Sequence, residues 1–284
     1  MDKEFDWLNP FASVDLGIGA WADGIKGWAM SNRSVIQPMK NFFDGVITGI
    51  ERGLHAVPPL VMLVILVLIA WQAAGRRVAI LVFGCLVVLG LLAPDAWSLA
   101  MTTLAIVIAS VLLCVLIGLP LGVLAGKSDR FEAGVRPVLD TMQTIPAFVY
   151  LVPVVMMIGI GNVSGVIVTI IFALAPLVRL TSLGIRSVNP GVVEAARAFG
   201  ATPRQILFKV ELPLATPTIL AGLNQTIMLS LSMVVIAALV GANGLGVPVV
   251  RALNSVNTAL GFESGFVIVI VAIVLDRMLR KGDA

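Results

Sequence analysis

Residues 97–125 decide the fold, and they read WSLAMTTLAIVIASVLLCVLIGLPLGVLA. None of these residues carries a charge. A helix that spans the hydrocarbon core of a bilayer needs about 20 predominantly apolar residues. This stretch therefore predicts a long membrane-spanning helix.

The rest of the chain has the same apolar character. Hydrophobic residues make up 59% of the sequence and charged residues 12%, whereas a typical soluble domain has about 25% charged residues. So much apolar surface excludes a single soluble core of 284 residues. Six further apolar runs predict spanning helices at residues 57–74, 78–93, 138–160, 163–182, 216–240 and 264–279. The prediction is an all-α polytopic membrane protein with about seven transmembrane helices.

The distribution of Lys and Arg predicts the orientation of these helices. If the first helix enters from outside, the outer loops at 95–96, 161–162 and 241–263 contain one basic residue, Arg251. The inner loops and C-terminal segment then contain twelve: Arg76, Arg77, Lys127, Arg130, Arg136, Arg186, Arg197, Arg204, Lys209, Arg277, Arg280 and Lys281. Basic residues are enriched in short cytoplasmic loops, so the N-terminus is predicted outside and the C-terminus in the cytoplasm.

Residues 1–56 form the first of three predicted regions, an N-terminal tail on the outer side. The tail lacks the pattern of a cleavable signal peptide, so the first spanning helix is expected to direct insertion. Apolar residues recur every three to four positions in its second half: Ile36, Met39, Phe43, Val46, Ile47, Ile50 and Leu54. This spacing predicts an amphipathic helix on the outer interface of the lipid bilayer, with a short eighth membrane element as the alternative. Residues 57–94 hold the first two spanning helices, and residues 95–281 form the remaining core.

Nothing in the sequence predicts catalysis or a metal site. Segment 122–128 resembles a phosphate-binding loop, but it has three residues between its glycines instead of four and follows a membrane helix rather than a strand. His55 is the only histidine, and no carboxylate or cysteine cluster accompanies it. Cys85 and Cys114 lie in apolar runs and are expected to be buried thiols. The chain is predicted not to be an enzyme, and no nucleic-acid partner is expected.

The most informative segment is the predicted cytoplasmic loop at residues 183–215. Asn189 is a favourable N-cap and Pro190 suits the first helical position, while Gly200 is a favourable C-terminal stop. Thr202 then begins a second short helix. Three alanines give the first helix a surface that another protein can approach closely: Ala195, Ala196 and Ala198. On these residues alone, a capped surface loop and a partner-binding loop fit equally well.

The same segment carries a family motif. Residues 194–213 read EAARAFGATPRQILFKVELP, with EAA at 194–196, then Gly200, then VELP at 210–213. This spacing resembles the motif of ABC importer permeases, which is Glu-Ala-Ala, three residues, Gly, nine residues, Ile, any residue, Leu-Pro. Val210 here replaces Ile. The resemblance implies a coupling helix that docks on a separate ATPase through Glu194, Ala195, Ala196, Gly200, Leu212 and Pro213.

A narrower resemblance covers residues 95–280. It rests on DTMQTIPAFVYLVP at 140–153, GIGNV at 159–163, NQTIMLSLSMVV at 224–235 and LDR at 275–277. These segments are similar to permeases for glycine betaine, proline betaine and choline. The resemblance implies osmoprotective import across a bacterial inner membrane by two copies of this chain, two ATPases and a substrate-binding protein. ATP and Mg would bind the ATPase, and this chain itself would bind no cofactor.

The helix predicted at residues 216–240 carries the candidate translocation path. At 100° per residue, Asn224, Gln225, Met228 and Ser232 fall within an arc of about 100°. Polar side chains in such a helix either bond neighbouring helices or face a water-filled path, and the sequence leaves both open. Neutral amides, hydroxyls and Met suit a quaternary ammonium or zwitterionic solute, which a charged path would retain. A single-chain secondary transporter or channel is the alternative function, although no inverted repeat is visible.

Overall fold

The computed structural model describes residues 31–279, together with residues 19, 23, 24, 27 and 28. The remaining residues of the predicted tail, and the basic residues Arg280 and Lys281, lie outside the described part. Every regular element within residues 31–279 is helical, which confirms the all-α prediction. In chain order the elements are α1 (Arg33–Ala56), α2 (Pro59–Ala74), α3 (Arg76–Leu92), α4 (Ala96–Lys127), α5 (Asp129–Thr144), α6 (Ala147–Ile158), α7 (Asn162–Arg186), α8 (Pro190–Ala198), α9 (Pro203–Ile206), a π turn (Leu207–Glu211), α10 (Leu212–Ala238), α11 (Gly246–Ser255) and α12 (Thr258–Leu279).

Helices α4, α7 and α10 form the centre, and α7 packs extensively on both of the others. A row of glycines on α4, four residues apart, allows its backbone to approach α7 closely: Gly118, Gly122 and Gly126. A Cβ added to Gly122 would lie 2.5 Å from Cβ of Thr181, closer than two such atoms can approach. Small residues at helix contacts are typical of membrane proteins. The segment that resembles a phosphate-binding loop is thus part of a helix–helix contact.

Helix α10 packs on α7 by the same means. A Cβ added to Gly222 of α10 would lie 3.3 Å from Cα of Leu177 on α7. One turn further along, the hydroxyl of Thr226 donates a hydrogen bond to the carbonyl oxygen of Ala173 on α7 at 3.0 Å. Close backbone approach and a buried hydroxyl together fix the position of α10.

A second layer, made of α2, α3 and α12, covers one side of this centre. Helices α2 and α3 are joined by Gly75 alone, whose φ of +86° favours glycine, and they form a tight helical hairpin. Ala70, Val82 and Val274 are buried where this hairpin meets α12. Apolar contacts therefore hold the layer together at this point.

The predicted amphipathic helix is present as α1, and its apolar face packs on protein. Ile47 is 1% exposed and lies among buried residues of α4 and α7. Near the end of α1, the hydroxyl of Thr102 on α4 donates to Glu51 at 2.9 Å. Nε2 of His55 lies 3.2 Å from the hydroxyl oxygen of Thr102. These contacts fix α1 to α4, and its place on the outer interface stays a prediction.

Residues 31–279 hold four to six candidate spanning segments by length and composition, compared with the prediction of about seven. By length and composition, four stretches of residues 31–279 can each cross a membrane: Ala96–Lys127, Asn162–Arg186, Pro203–Ala238 and Thr258–Met278. Two further pairs qualify only jointly and are sharply bent, α1 with α2 by 104° and α5 with α6 by 98°. Helices α2 and α3 have 16 and 17 residues, at the lower end of the range of spanning helices, which begins at about 17 residues.

Proline explains the break in the span predicted at residues 138–160. Ile145 precedes Pro146 and has an extended backbone, with φ −74° and ψ 127°, as residues before proline favour. Helix α5 therefore ends at Thr144, and α6 begins at Ala147. Together the two helices are apolar enough to pass as one span, which conceals this break in the sequence.

The predicted outer loop at residues 241–263 also contains helix. Helix α11 lies within it, and α12 begins at Thr258 rather than at residue 264. The glycines that predicted a loop serve partly for close packing, since a Cβ added to Gly246 would lie 2.7 Å from Cβ of Ala238. Glycine content alone is thus a poor indicator of loop structure in this chain.

Candidate functional site

The predicted coupling loop contains a short capped helix with no buried residue. Helix α8 follows Asn189, whose Oδ1 accepts a hydrogen bond from the N–H of Gly191 at 2.8 Å, and none of its residues is buried. The helix ends in a turn where Gly200 has φ +81°. This left-handed conformation costs other residues roughly 1–2 kcal/mol. Gly200 is thus the helix stop that the sequence predicts.

The loop also exposes an apolar side chain that the sequence analysis did not single out. Phe199 is 92% exposed. Beside it, Glu194 and Ala195 are exposed and Ala196 is half-buried. The signal in the sequence is a lone aromatic residue between a short helix and its glycine stop. Aromatic residues are enriched in protein interfaces, so this turn has the character of a docking surface.

The second half of the loop is the beginning of the helix that carries the polar face. The N–H of Thr202 donates to Oε1 of Gln205 at 2.8 Å, and Oγ1 of Thr202 accepts the N–H of Gln205 at 3.4 Å. This capped start continues through the π turn into α10, so Pro203–Ala238 is one helical stretch. The sequence predicted a short helix from Thr202 and a separate span from residue 216, and in the structure the two belong to one continuous helical stretch.

Proline explains the π turn as well. Pro213 has no N–H to donate, and its ring displaces the carbonyl four residues earlier. The N–H of Leu212 donates instead to the carbonyl of Leu207, five residues back, so the helix widens locally rather than breaking. Leu212 is half-buried and Pro213 exposed, and both lie in the first turn of α10, away from α8 in the chain.

Ion pairs join several helix ends on the same side of the bundle. Lys127, the last residue of α4, pairs with Glu211 of the π turn, whose side chain is 7% exposed. Arg186, the last residue of α7, lies 2.6 Å from Asp129 and 2.8 Å from Glu132 of α5. The ends of α4 and α7, the start of α5 and the loop therefore meet at one end of the molecule.

The candidate path residues lie on a face of α10 that the described helices leave at least partly open. Gln225 and Ser232 are exposed, while Asn224 and Met228 are half-buried. Ser230, which the sequence places outside this arc, is 2% exposed and bonds its own helix. The four residues predicted from helical geometry thus share one side of α10 that is exposed or half-buried, which we call the polar face of α10.

The structure bears on whether either region could hold a metal ion. Within residues 31–279, no three His, Cys, Asp or Glu side chains lie together in a way that could hold a metal ion. What the structure offers is an exposed turn at one end and, further along the same helical stretch, a face of neutral polar groups. The exposed turn is thus followed closely in the chain by the helical stretch that carries the polar face.

A family profile identifies the class of protein that this architecture defines. The profile describes the inner membrane component of binding-protein-dependent transport systems, and it matches residues 118–278. The chain belongs to this family and is a multi-pass component of the inner membrane. Because such a component works with a binding protein, the alternative of a single-chain secondary transporter or channel is set aside.

Particular relatives narrow the class further. The chain is 47% identical to the glycine betaine/proline betaine transport system permease protein ProW of Escherichia coli (strain K12), over 98% of this chain and 78% of that protein. It is 45% identical to the glycine betaine transport system permease protein OpuAB of Bacillus subtilis (strain 168), over 84% of this chain and 87% of that protein. Among solved structures, it is similar to the inward-facing MetNI methionine ABC transporter, with a TM-score of 0.56 and 25% identity over 63% of this chain and 91% of that chain.

Proposed function

We propose that this chain is the permease subunit of an ATP-driven importer of quaternary ammonium solutes, with glycine betaine as the first candidate and proline betaine or choline as the others. The observation that carries the proposal is the 47% identity to a glycine betaine/proline betaine permease over nearly the whole chain. The chain itself catalyses no reaction and binds no cofactor. ATP and Mg²⁺ bind a separate ATPase subunit, and a binding protein delivers the solute.

The turn after α8 is the proposed ATPase contact. Its support is the exposed ring of Phe199 beside the small, accessible residues Ala195 and Ala196. Gly200 sets the direction of the chain after the turn, and Glu194 stands exposed on the same short helix. Leu212 and Pro213 contribute by shaping the start of α10, which carries the loop.

The polar face of α10 is the proposed translocation path, closed by a second copy of this chain. Polar side chains of membrane helices face protein or water rather than lipid, and this chain leaves Gln225 and Ser232 exposed. A homodimer places two such faces opposite each other. Their amides and hydroxyls bind a solute of zero or single positive charge weakly enough to release it.

The proposed orientation places the loop in the cytoplasm, the N-terminus outside and the C-terminus inside. It is supported by the basic residues at the helix ends that meet beside the loop, Lys127 and Arg186. A reporter enzyme that is active only in the cytoplasm, fused after Ala284, is expected to be active. If a periplasmic reporter is active at that position instead, the orientation is the opposite of the one proposed.

Transport by the reconstituted complex tests the proposed function. The chain is purified with its cognate ATPase and placed in vesicles that contain ATP, with the binding protein and radiolabelled glycine betaine outside. We expect uptake that requires both ATP and the binding protein. Unlabelled proline betaine and choline should reduce this uptake in the order of their affinities for the binding protein. Uptake without ATP, or purification without any ATPase subunit, would contradict the proposal.

A further inference from the structure

A buried carboxylate lies where the loop joins α10. Glu211 ends the π turn, and its side chain is 7% exposed. Within residues 31–279, Lys127 is the only cation at ion-pair distance from it. The permease motif leaves this position open to any residue, so the motif does not account for the carboxylate. A buried charge without a partner is costly, and Lys127 is therefore more than an incidental neighbour.

The position of this ion pair along the helix gives it a mechanical consequence. Because Pro203–Ala238 is one helical stretch, the polar face at Gln225 lies about 21 Å beyond Glu211 on the same helix. The π turn, which ends at Glu211, is a helix irregularity of the kind that is frequent at functional sites. A displacement of the loop is thus transmitted to the polar face through one helix. Lys127 fixes the beginning of α10 at Glu211, which we call the root of α10, to α4.

We propose that the pair of Lys127 and Glu211 is the pivot of energy coupling. It holds the root of α10 against α4 while the ATPase moves the loop, so that the movement of α8 tilts the polar face. The proposal rests on the proposed function, since it requires an ATPase at α8. Without the pair, the root of α10 moves with the loop, and ATP is hydrolysed without moving solute. Both residues act by positioning α10, and neither touches the solute.

The test measures radiolabelled glycine betaine transported per ATP hydrolysed by the reconstituted complex. Lys127→Glu and Glu211→Lys each place like charges together, and each is expected to lower this ratio about tenfold while the ATPase copurifies in the wild-type amount. The double variant Lys127→Glu/Glu211→Lys restores opposite charges and is expected to recover about a third or more of the ratio. Lys127→Arg keeps the charge and is expected to stay within about twofold.

Two further variants separate the pivot from a general effect on folding or charge. Arg130→Glu makes the same change of charge at an exposed side chain close to Lys127, and it is expected to keep the wild-type ratio. Glu211→Gln keeps the size of the side chain but removes its charge. We expect this variant to transport much less glycine betaine per ATP hydrolysed while still binding the ATPase.

The proposal is overturned if the single variants keep about half of the wild-type ratio or more. It is also overturned if ATPase copurification falls in parallel with transport, or if the double variant binds the ATPase and recovers nothing. Failure of the wild-type chain to bind any ATPase would instead contradict the proposed function, so the two failures are distinguishable.

Discussion

The two faces of α10 carry similar small and polar residues and have different surroundings. One face has Gly222, Thr226 and Ser230 at four-residue spacing, and all three are buried by the chain's own helices. The other has Gln225 and Ser232 exposed. A polar residue in a membrane helix thus indicates a path or a partner only where the fold leaves it uncovered. Substitutions on either face, or in the loop that precedes α10, test this difference one surface at a time.

The largest effect is expected on the buried face. Gly222→Val places a Cβ 3.0 Å from Cβ of Leu180 and 3.3 Å from Cα of Leu177, and it adds two methyl groups beyond it. Overpacking of this kind costs about 1–3 kcal/mol, so the melting temperature of the purified protein should fall and part of it should aggregate. Ala221→Val is the matched control, because Ala221 is the exposed neighbour on the same turn. Equal melting of the two variants would show that the faces do not differ in packing.

The next largest effect falls on transport and leaves both faces of α10 unchanged. Gly200→Val puts a β-branched residue at φ +81°, at a cost of roughly 1–2 kcal/mol, although no atom lies within 4 Å of its Cβ position. We expect the turn to change shape, so that transport and ATPase copurification are lost while the melting temperature stays near that of the wild type.

The control for this variant is Gly200→Asn, since asparagine tolerates left-handed backbone better than other residues. It should retain ATPase binding. Normal copurification of the ATPase with Gly200→Val would exclude this turn as the contact.

The parts of the structure that depend on local chemistry could be predicted from the sequence. The Asn189 cap, the Gly200 stop and the amphipathic helix α1 each follow from residues close together in the chain. The polar arc of α10 follows from helical geometry alone. The sequence could not say which face of α10 is covered, because that depends on where α7 lies.

What the sequence analysis missed depends on competition between signals or on contacts between distant residues. Pro146 breaks a run that is otherwise apolar enough to span the membrane. Pro213, by contrast, does not stop a helix, because a π turn accommodates it. Asp140 pairs with Arg179 across two helices, and no local pattern reveals such a partner. The same limit applies to the ion pair at the root of α10.

A smaller, qualitative difference is expected from cysteine accessibility. After replacement of Cys85 and Cys114, single cysteines at Gln225 and Ser232 should react with a small water-soluble thiol reagent, and the rate should change when ATP is added to the complex. A cysteine at Ser230 should react slowly in both conditions, because that side chain is 2% exposed. Protection at Gln225 and Ser232 with and without ATP would leave them a packing role between two copies of the chain.

The smallest effect is expected from Thr226→Val on the buried face. The hydroxyl of Thr226 lies 3.0 Å from the carbonyl oxygen of Ala173 and 3.0 Å from that of Gly222 on its own helix. Hydrogen bonds between membrane helices contribute about 0.6 kcal/mol on average, and valine keeps the shape of threonine. The melting temperature should therefore fall by about 1–2 °C, with the rate of transport unchanged.

Ser232→Ala is the matched change on the other face. It should change the rate of transport and leave the melting temperature as it is. The hydroxyl of Ser232 donates to the carbonyl of Met228 on its own helix at 3.0 Å and to no other helix among residues 31–279, so its loss should leave the melting temperature unchanged. The rate of glycine betaine uptake should change, because an exposed hydroxyl of the proposed path is gone. If Thr226→Val alters uptake as much as Ser232→Ala does, transport does not depend on the exposed face more than on the buried face. Exposure in a single chain would then be an insufficient guide to the path.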